Sequence, residues 1–220
     1  MAARLFFGES TMKRRAHVYI DGFNFYYGMV KDGPYKWLDF EKYFTLLRQH
    51  DQILKILYFT ALIDGPRRIN QDTYLRALRT LPTLEIILGK FMKKNVTCQV
   101  PQCTYQGSRV FATAEEKGTD VNIAVRMIDD AYNNRCDNFI LVSGDSDLAP
   151  VLVMIKRVFP DKRVIVYVPA TALKKAARHS KLLADKAYKY GFLPEALLSK
   201  AQFPAVMHDS KGPFNKPASW

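Results

Sequence analysis

Four aspartates in three short motifs could do chemistry together. Asp21 ends the apolar run Ala16-His17-Val18-Tyr19-Ile20 and opens Asp21-Gly22-Phe23-Asn24. Asp120 follows Lys117-Gly118-Thr119, and Asp145 and Asp147 lie in Ser143-Gly144-Asp145-Ser146-Asp147, directly after the run Asn138–Val142. Taken singly, each is an ordinary turn former or helix cap. Gathered in one crevice, they would repel one another and resist ionising, a penalty that a divalent cation removes. A donor set of carboxylates without His or Cys suits Mg²⁺ or Mn²⁺. Such an ion supports in-line displacement at a phosphodiester. Asp21, Asp120 and Asp145 are the expected ligands, with Asp147 as a fourth ligand or a cap. Asn24 is placed to orient a phosphate or a water, Ser143 to reach the site through its hydroxyl, and Lys117 to meet a phosphate. Both Glu115 and Glu116 read as solvated charges, with the alternative that one of them stands just behind the metal ligands.

The elements that must bring these acids together alternate in type. Strands are expected at 16–20, 53–62, 84–91, 138–142 and 163–168, all short apolar runs. Helices are expected at 39–49, 69–80, 119–133, 148–158 and 172–190, the one at 119–133 turning Val121, Ala124, Val125 and Ile128 to one side. Residues 23–27, rich in aromatics, read as a loop, and 95–113 as a β-hairpin turning near Gln106-Gly107-Ser108. Apolar strands alternating with helices imply a three-layer α/β/α fold with a mostly parallel sheet, plus the small hairpin as an insertion. In such folds sites form outside the carboxyl ends of the strands, which is where two of the three acidic motifs fall. The expected organisation is a flexible leader over 1–13, with Met12 an alternative start. A domain over 14–170, a basic helical extension over 171–202 packed on it, and a flexible tail over 203–220 with Pro204, Pro213 and Pro217 complete it.

The chain has 220 residues, 48% of them hydrophobic, enough for a full core and too many for a disordered chain. Its apolar runs are too short for a bilayer span or a signal-peptide core, so a cytoplasmic location is expected. The formal net charge of +12 points to a polyanionic partner, nucleic acid first. Candidate phosphate contacts are Arg67, Arg68, Arg76 and Arg79, then Lys90, Lys93, Lys94 and Arg109 around the hairpin, then Lys174, Lys175, Arg178 and Lys181. Among the aromatics after Asp21, Tyr26 is the choice for stacking on an unpaired base. Cys98 and Cys103 are either half of a zinc site or thiols flanking the hairpin, and no second ligand pair follows at a matching spacing. Cys136 makes an odd count of three, which argues for reduced thiols.

Three segments, Tyr19-Ile20-Asp21-Gly22-Phe23-Asn24, Glu116-Lys117-Gly118-Thr119-Asp120-Val121 and Val142-Ser143-Gly144-Asp145-Ser146-Asp147, resemble in this order the motifs of the NYN domain family, the LabA-like branch of the PIN-like nucleases. The resemblance covers about residues 16–170. It departs at Thr119, where the family carries an apolar residue. It implies a PIN-like parallel sheet and Mg²⁺- or Mn²⁺-dependent cleavage of RNA, with Asp21, Asp120 and Asp145 on the metal, Asp147 assisting and Asn24 nearby. The expected function is therefore a metal-dependent ribonuclease, acting on single-stranded or structured RNA, away from membranes, with a homodimer allowed by an apolar helix face. The alternative is a non-catalytic RNA-binding or adaptor module of the same fold, which would gain little from clustered acids facing phosphate. A phosphatase with an aspartyl nucleophile needs a second Asp two positions after the first, and that position is Phe23.

Overall fold

The computed structural model describes residues 13–220, and most of the expected leader lies outside them. Strand β1 (Arg14–Asp21) runs into a short helix α1 (Gly22–Phe25) that widens into a π-turn over Tyr26–Val30. Helix α2 (Phe40–Leu47), strand β2 (Asp51–Thr60), helix α3 (Arg68–Leu78) and strand β3 (Leu84–Leu88) follow. Strands β4 (Lys90–Thr97) and β5 (Val110–Lys117) form the antiparallel hairpin, then helix α4 (Thr119–Tyr132) and strand β6 (Asn138–Val142). Helix α5 (Ala149–Val158), strand β7 (Arg163–Val168), the short helices α6 (Lys175–Arg178) and α7 (Lys181–Lys186), and strand β8 (Lys189–Phe192) complete the sheet. A second hairpin, β9 (Val206–Asp209) and β10 (Gly212–Asn215), ends the chain.

The main sheet has six strands in the order β3-β2-β1-β6-β7-β8, and every pairing is parallel. The three-layer α/β/α fold with a hairpin insertion is as expected. Strand order reverses between β1 and β6, and the crevice outside the carboxyl ends of those two strands is the site-forming position of such sheets. Alternation along β1 sends Ala16, Val18 and Ile20 into a core shared with α1, α2 and α3. Tyr19, on the other side, joins the core shared with α4 and α5.

Several boundaries differ from those read in the sequence. The aromatic stretch after Asp21 is helical, because Asp21 Oδ1 accepts the Asn24 N–H at 2.9 Å as an N-cap. Phe25, Met29 and Val30 then fall on the buried side of the coil. The coil is held tight against the loop after β7: a Cβ on Gly28 would stand 2.0 Å from the Pro169 carbonyl oxygen. Gly28→Ala is therefore expected to cost about 2–3 kcal/mol in urea denaturation, through forced backbone displacement. A loss under about 0.5 kcal/mol would show that the loop simply moves away.

The segment 171–202 is not a helical appendage. It supplies α6 and α7 and then the edge strand β8, paired to β7 from Lys189 to Phe192. Nor is 203–220 a loose tail. Phe203 and Phe214 are buried in the core, and Trp220 packs at 6.4 Å from Trp37 and 5.3 Å from Tyr74. Arg76 clamps the hairpin with two 2.7 Å bonds to Asp209. These aromatics hold the segment down, and Gly212, at φ +100°, permits the turn that brings Pro213 onto a two-stranded ribbon. Among the described residues no helix is long and apolar enough to cross a membrane.

Candidate functional site

Asp21 leaves the end of β1 on the same side as His17 and Tyr19. It is buried, and both of its oxygens are held: Oδ1 by the Asn24 N–H at 2.9 Å, Oδ2 by the Ser143 hydroxyl at 3.1 Å. Ser143, fully buried at the end of β6, also accepts the Asp145 N–H at 3.1 Å. One hydroxyl thus joins the two strand-end motifs. Asp145 in turn accepts the Asp147 N–H at 2.9 Å, capping the 3-10 turn Ser146–Leu148 that leads into α5. Asn24 Oδ1 accepts the Gly144 N–H at 3.1 Å and a guanidinium N–H of Arg178 at 3.1 Å, closing the ring of loops.

Asp120 arrives from the opposite layer. Asp120, Ile123, Met127 and Asp130 stand at i, i+3, i+7 and i+10 of α4, on one stripe facing the sheet. Ile123, Met127 and Asp130 are fully buried, whereas Val121 and Val125 are 65% and 61% exposed. Of the four apolar residues read at helical spacing, Val121 and Val125 face outward while Ala124 and Ile128 pack against the core, and acids occupy both ends of the buried stripe. At the far end, Asp130 Oδ2 meets His17 Nδ1 at 2.9 Å and accepts the Tyr19 hydroxyl at 2.7 Å, while Oδ1 accepts from Arg135 at 2.8 Å. Helix α4 therefore runs antiparallel to β1. Ten helical residues span about 15 Å and four strand residues about 13 Å. Fixing Asp130 against His17 and Tyr19 consequently delivers Asp120 to Asp21.

The electrostatics register that meeting. Burial pushes the Asp21 carboxyl up to about 6, with the charges of Asp120 and Glu116 adding to it and the bonds from Asn24 and Ser143 opposing it. Asp120 is likewise pushed up to about 6, first by burial and then by the charges of Asp145, Glu116 and Asp147. The acids of the three motifs thus share one field, and Glu116 belongs to it. Glu116 is therefore not the solvated charge first read for it but the alternative, an acid just behind the site. Its half-buried carboxylate accepts the Thr119 hydroxyl in front of α4, and the Glu-x-x-Thr spacing was the available signal. Gly118 permits that corner with φ +92°. By contrast Glu115 is exposed and pairs with Lys117 at 2.9 Å.

The other expected contacts divide. Tyr26 and Arg67 line a cavity that begins at Gly22, beside Asp21. Arg68 pairs with Asp72 at 2.8 Å on its own helix, and Arg76 is spent on Asp209, so neither is brought to the acids. Arg178, His179 and Ser180 line the cleft shared with Asn24 and Asp145, a placement that rests on the topology of a segment far along the chain. Cys98 and Cys103 are half-buried free thiols in the loop between β4 and β5.

An oxygen-only donor set whose members raise one another's pKa fits Mg²⁺ or Mn²⁺ in kind. Among the described residues no three His, Cys, Asp or Glu side chains converge as a ready-made chelate. Mg²⁺ keeps several of its waters and takes one or two carboxylates directly, so it does not require one.

The NYN domain family matches residues 15–188. The chain is also similar to the 6-hydroxy-3-succinoylpyridine 3-monooxygenase HspA of Pseudomonas putida, 33% identical over 237 aligned positions, which cover 94% of this chain and 75% of that protein. Among solved structures it is similar to a protein of unknown function from Vibrio parahaemolyticus. The TM-score is 0.56 and the identity 20%, over 88% of this chain and 97% of that one. At that identity the likeness shows the fold alone.

Proposed function

This chain belongs to the NYN domain family, within the PIN-like nucleases, and from that premise we propose that it is a metal-dependent ribonuclease hydrolysing RNA phosphodiester bonds at the Asp21, Asp120 and Asp145 site. The observation that carries the reading is the shared field of acids from three separate segments at the point where strand order reverses. A fold under no demand for function would not keep carboxylates where they raise each other's pKa, since each then costs stability.

When bound, Mg²⁺ or Mn²⁺ supplies Lewis acidity and charge neutralisation toward a phosphodiester. Asp21, Asp120 and Asp145 would hold the ion, with Asp147 and Glu116 adding negative charge around it. Ser143 fixes the spacing of Asp21 and Asp145 through its two hydrogen bonds. Asn24 is locked by Gly144 and Arg178 through its oxygen, which leaves its amide nitrogen as a donor for a phosphate oxygen. Arg178 and the surrounding basic residues then balance the negative backbone of the strand.

The test is a panel of single-stranded and structured RNAs, with matching DNAs, incubated with Mg²⁺, Mn²⁺ or chelator beside Asp145→Asn. Cleavage is expected only with metal and only in the wild type, with a loss in the variant of at least about a hundredfold. RNA binding without cleavage under every condition would favour the non-catalytic binding module instead.

A second reading is favoured by the similarity to the pyridine monooxygenase, which spans nearly the whole chain. It assigns the same cleft to oxygenation of a small heteroaromatic ring. Incubation with 6-hydroxy-3-succinoylpyridine, dioxygen and a nicotinamide reductant tests it: substrate-dependent oxygen uptake would support it, and unchanged substrate would remove it.

A further inference from the structure

A cavity of about 200 Å³ opens beside the acids, with Gly22 and Thr60 in its lining. Its lining is aromatic: Phe23, Tyr26, Tyr27, Tyr58, Tyr74 and Trp220 all contribute to it. Four different parts of the chain supply these rings, and the walls are braced. The Tyr74 hydroxyl donates to the Leu38 carbonyl at 2.8 Å, and Asn70 Nδ2 donates to Ser219 Oγ at 2.9 Å, tying α3 to the segment that carries Trp220. Gln71 is likewise committed, accepting from Ile63 N–H and donating to the Ala61 carbonyl.

Two cations at the same cavity have no such commitment. Lys36 and Arg67 both line it, and among the described residues neither forms an ion pair or a side-chain hydrogen bond. This contrasts with Arg68 and Arg76 on the adjacent helix, both bound to acids. Asp64 also lies on the rim, exposed, and is the single acid there. An aromatic slot suits a flat ring, which stacks well on π-faces and gains little hydration by staying outside. Free cations at the mouth suit an anion attached to that ring. A lone carboxylate beside them suits a ring N–H or an amino group. The volume lies below that of sites that take a drug-sized ligand whole, so it holds one ring system.

We propose that this cavity binds a planar nitrogen heteroaromatic ring bearing an anionic substituent, with the ring between Tyr26 and Trp220 and the anion on Arg67 and Lys36. That chemistry has two sources, a nucleotide base with its phosphate or a free heteroaromatic acid. The proposal does not rest on the ribonuclease reading.

The experiment uses the full chain with chelator present, so that no cleavage intervenes. One arm titrates nucleoside monophosphates and the other nicotinate; calorimetry measures the affinity and tryptophan fluorescence is followed alongside. The chain has two tryptophans; Trp37 is fully buried, so quenching reports Trp220. Saturable binding with quenching is expected in at least one arm, and the arm that binds identifies the source. Trp220→Phe should remove the signal while calorimetry still detects binding. Arg67→Glu, on the surface, and Tyr26→Ala should each weaken binding about tenfold or more. The neutral counterparts, nucleosides and nicotinamide, should be weaker by a similar factor. No saturable binding in either arm at millimolar concentration would overturn the proposal. So would affinity unchanged in Arg67→Glu, or neutral rings binding as tightly as anionic ones. RNA cleavage by wild type with neither arm binding would sink the pocket alone; binding without any cleavage would sink the nuclease reading alone.

Discussion

Asp21→Asn is expected to stabilise the metal-free protein at neutral pH while removing its activity on RNA. The carboxyl of Asp21 is pushed from its ordinary 3.8 up to about 6 by burial. A raised pKa means that the fold favours the neutral acid. Below about pH 4 the group is protonated in both folded and unfolded chains and costs nothing. As pH climbs from about 4 to about 6, the unfolded chain ionises first and stability falls. Above that window the full penalty persists, about 3 kcal/mol at 1.4 kcal/mol per pKa unit. Asparagine escapes it but gives up part of the Ser143 contact, so a net gain of about 1–2 kcal/mol is expected at pH 7. Urea denaturation at pH 7 and pH 4, with chelator, measures it: the gain should be present at the first and absent at the second. Equal effects at both, or a loss at pH 7, would contradict the assignment. On the proposed metal assignment, cleavage should fall by at least about a hundredfold, because a ligand oxygen and its charge would be lost together.

Asp130→Asn should do the opposite, destabilising by about 3–5 kcal/mol at pH 7, the cost of stripping one partner from a buried charged network. Burial alone would raise the pKa of Asp130. The bonds from His17, Arg135 and Tyr19 outweigh it and hold the carboxyl far below the carboxylate range. A depressed pKa contributes stability that is present above the unfolded pKa near 4 and is lost as pH falls through the folded value. The difference between wild type and variant should therefore shrink as the medium is acidified. Thermal or urea unfolding across pH 3–7 reads this directly. A pH-independent difference would mean that packing, not charge, carries the effect. In the fraction that folds, activity should also drop, since Asp130 sets the height at which Asp120 meets Asp21.

Much of this was legible in the chain. Four apolar residues, Phe139 to Val142, followed by Ser-Gly-Asp-Ser-Asp locate β6 and its acidic loop, and two acids at a strand end are hard to place elsewhere. The parallel sheet follows from such runs, which leave no polar face for water. The face of α4 was not legible, because its buried stripe begins and ends in aspartates and an apolar count favours the valines on the other side. Asp130 looks like a surface charge until His17 and Tyr19, over a hundred residues earlier, are seen beneath it. The last segment hid its role behind three prolines, while Phe203, Phe214 and Trp220 determined its fate. Strand β8, Lys189-Tyr190-Gly191-Phe192, sits at a sheet edge and shows no continuous apolar signal.

The position of β1 at the centre of the sheet has a consequence in time. Its two neighbours, β2 and β6, are made far apart during synthesis: Ser143 follows Asp21 by 122 residues. A growing chain can assemble β3, β2 and β1 early, but β1 then waits with one edge unpaired, and long-range parallel pairing is slow to close. Until β6 leaves the ribosome, Asp21 has neither Ser143 nor Asp145 beside it. The nascent chain therefore carries its first acid without the partners that hold it until late in synthesis. The crevice between β1 and β6 closes only when the sixth strand docks, and Arg178 joins Asn24 later still.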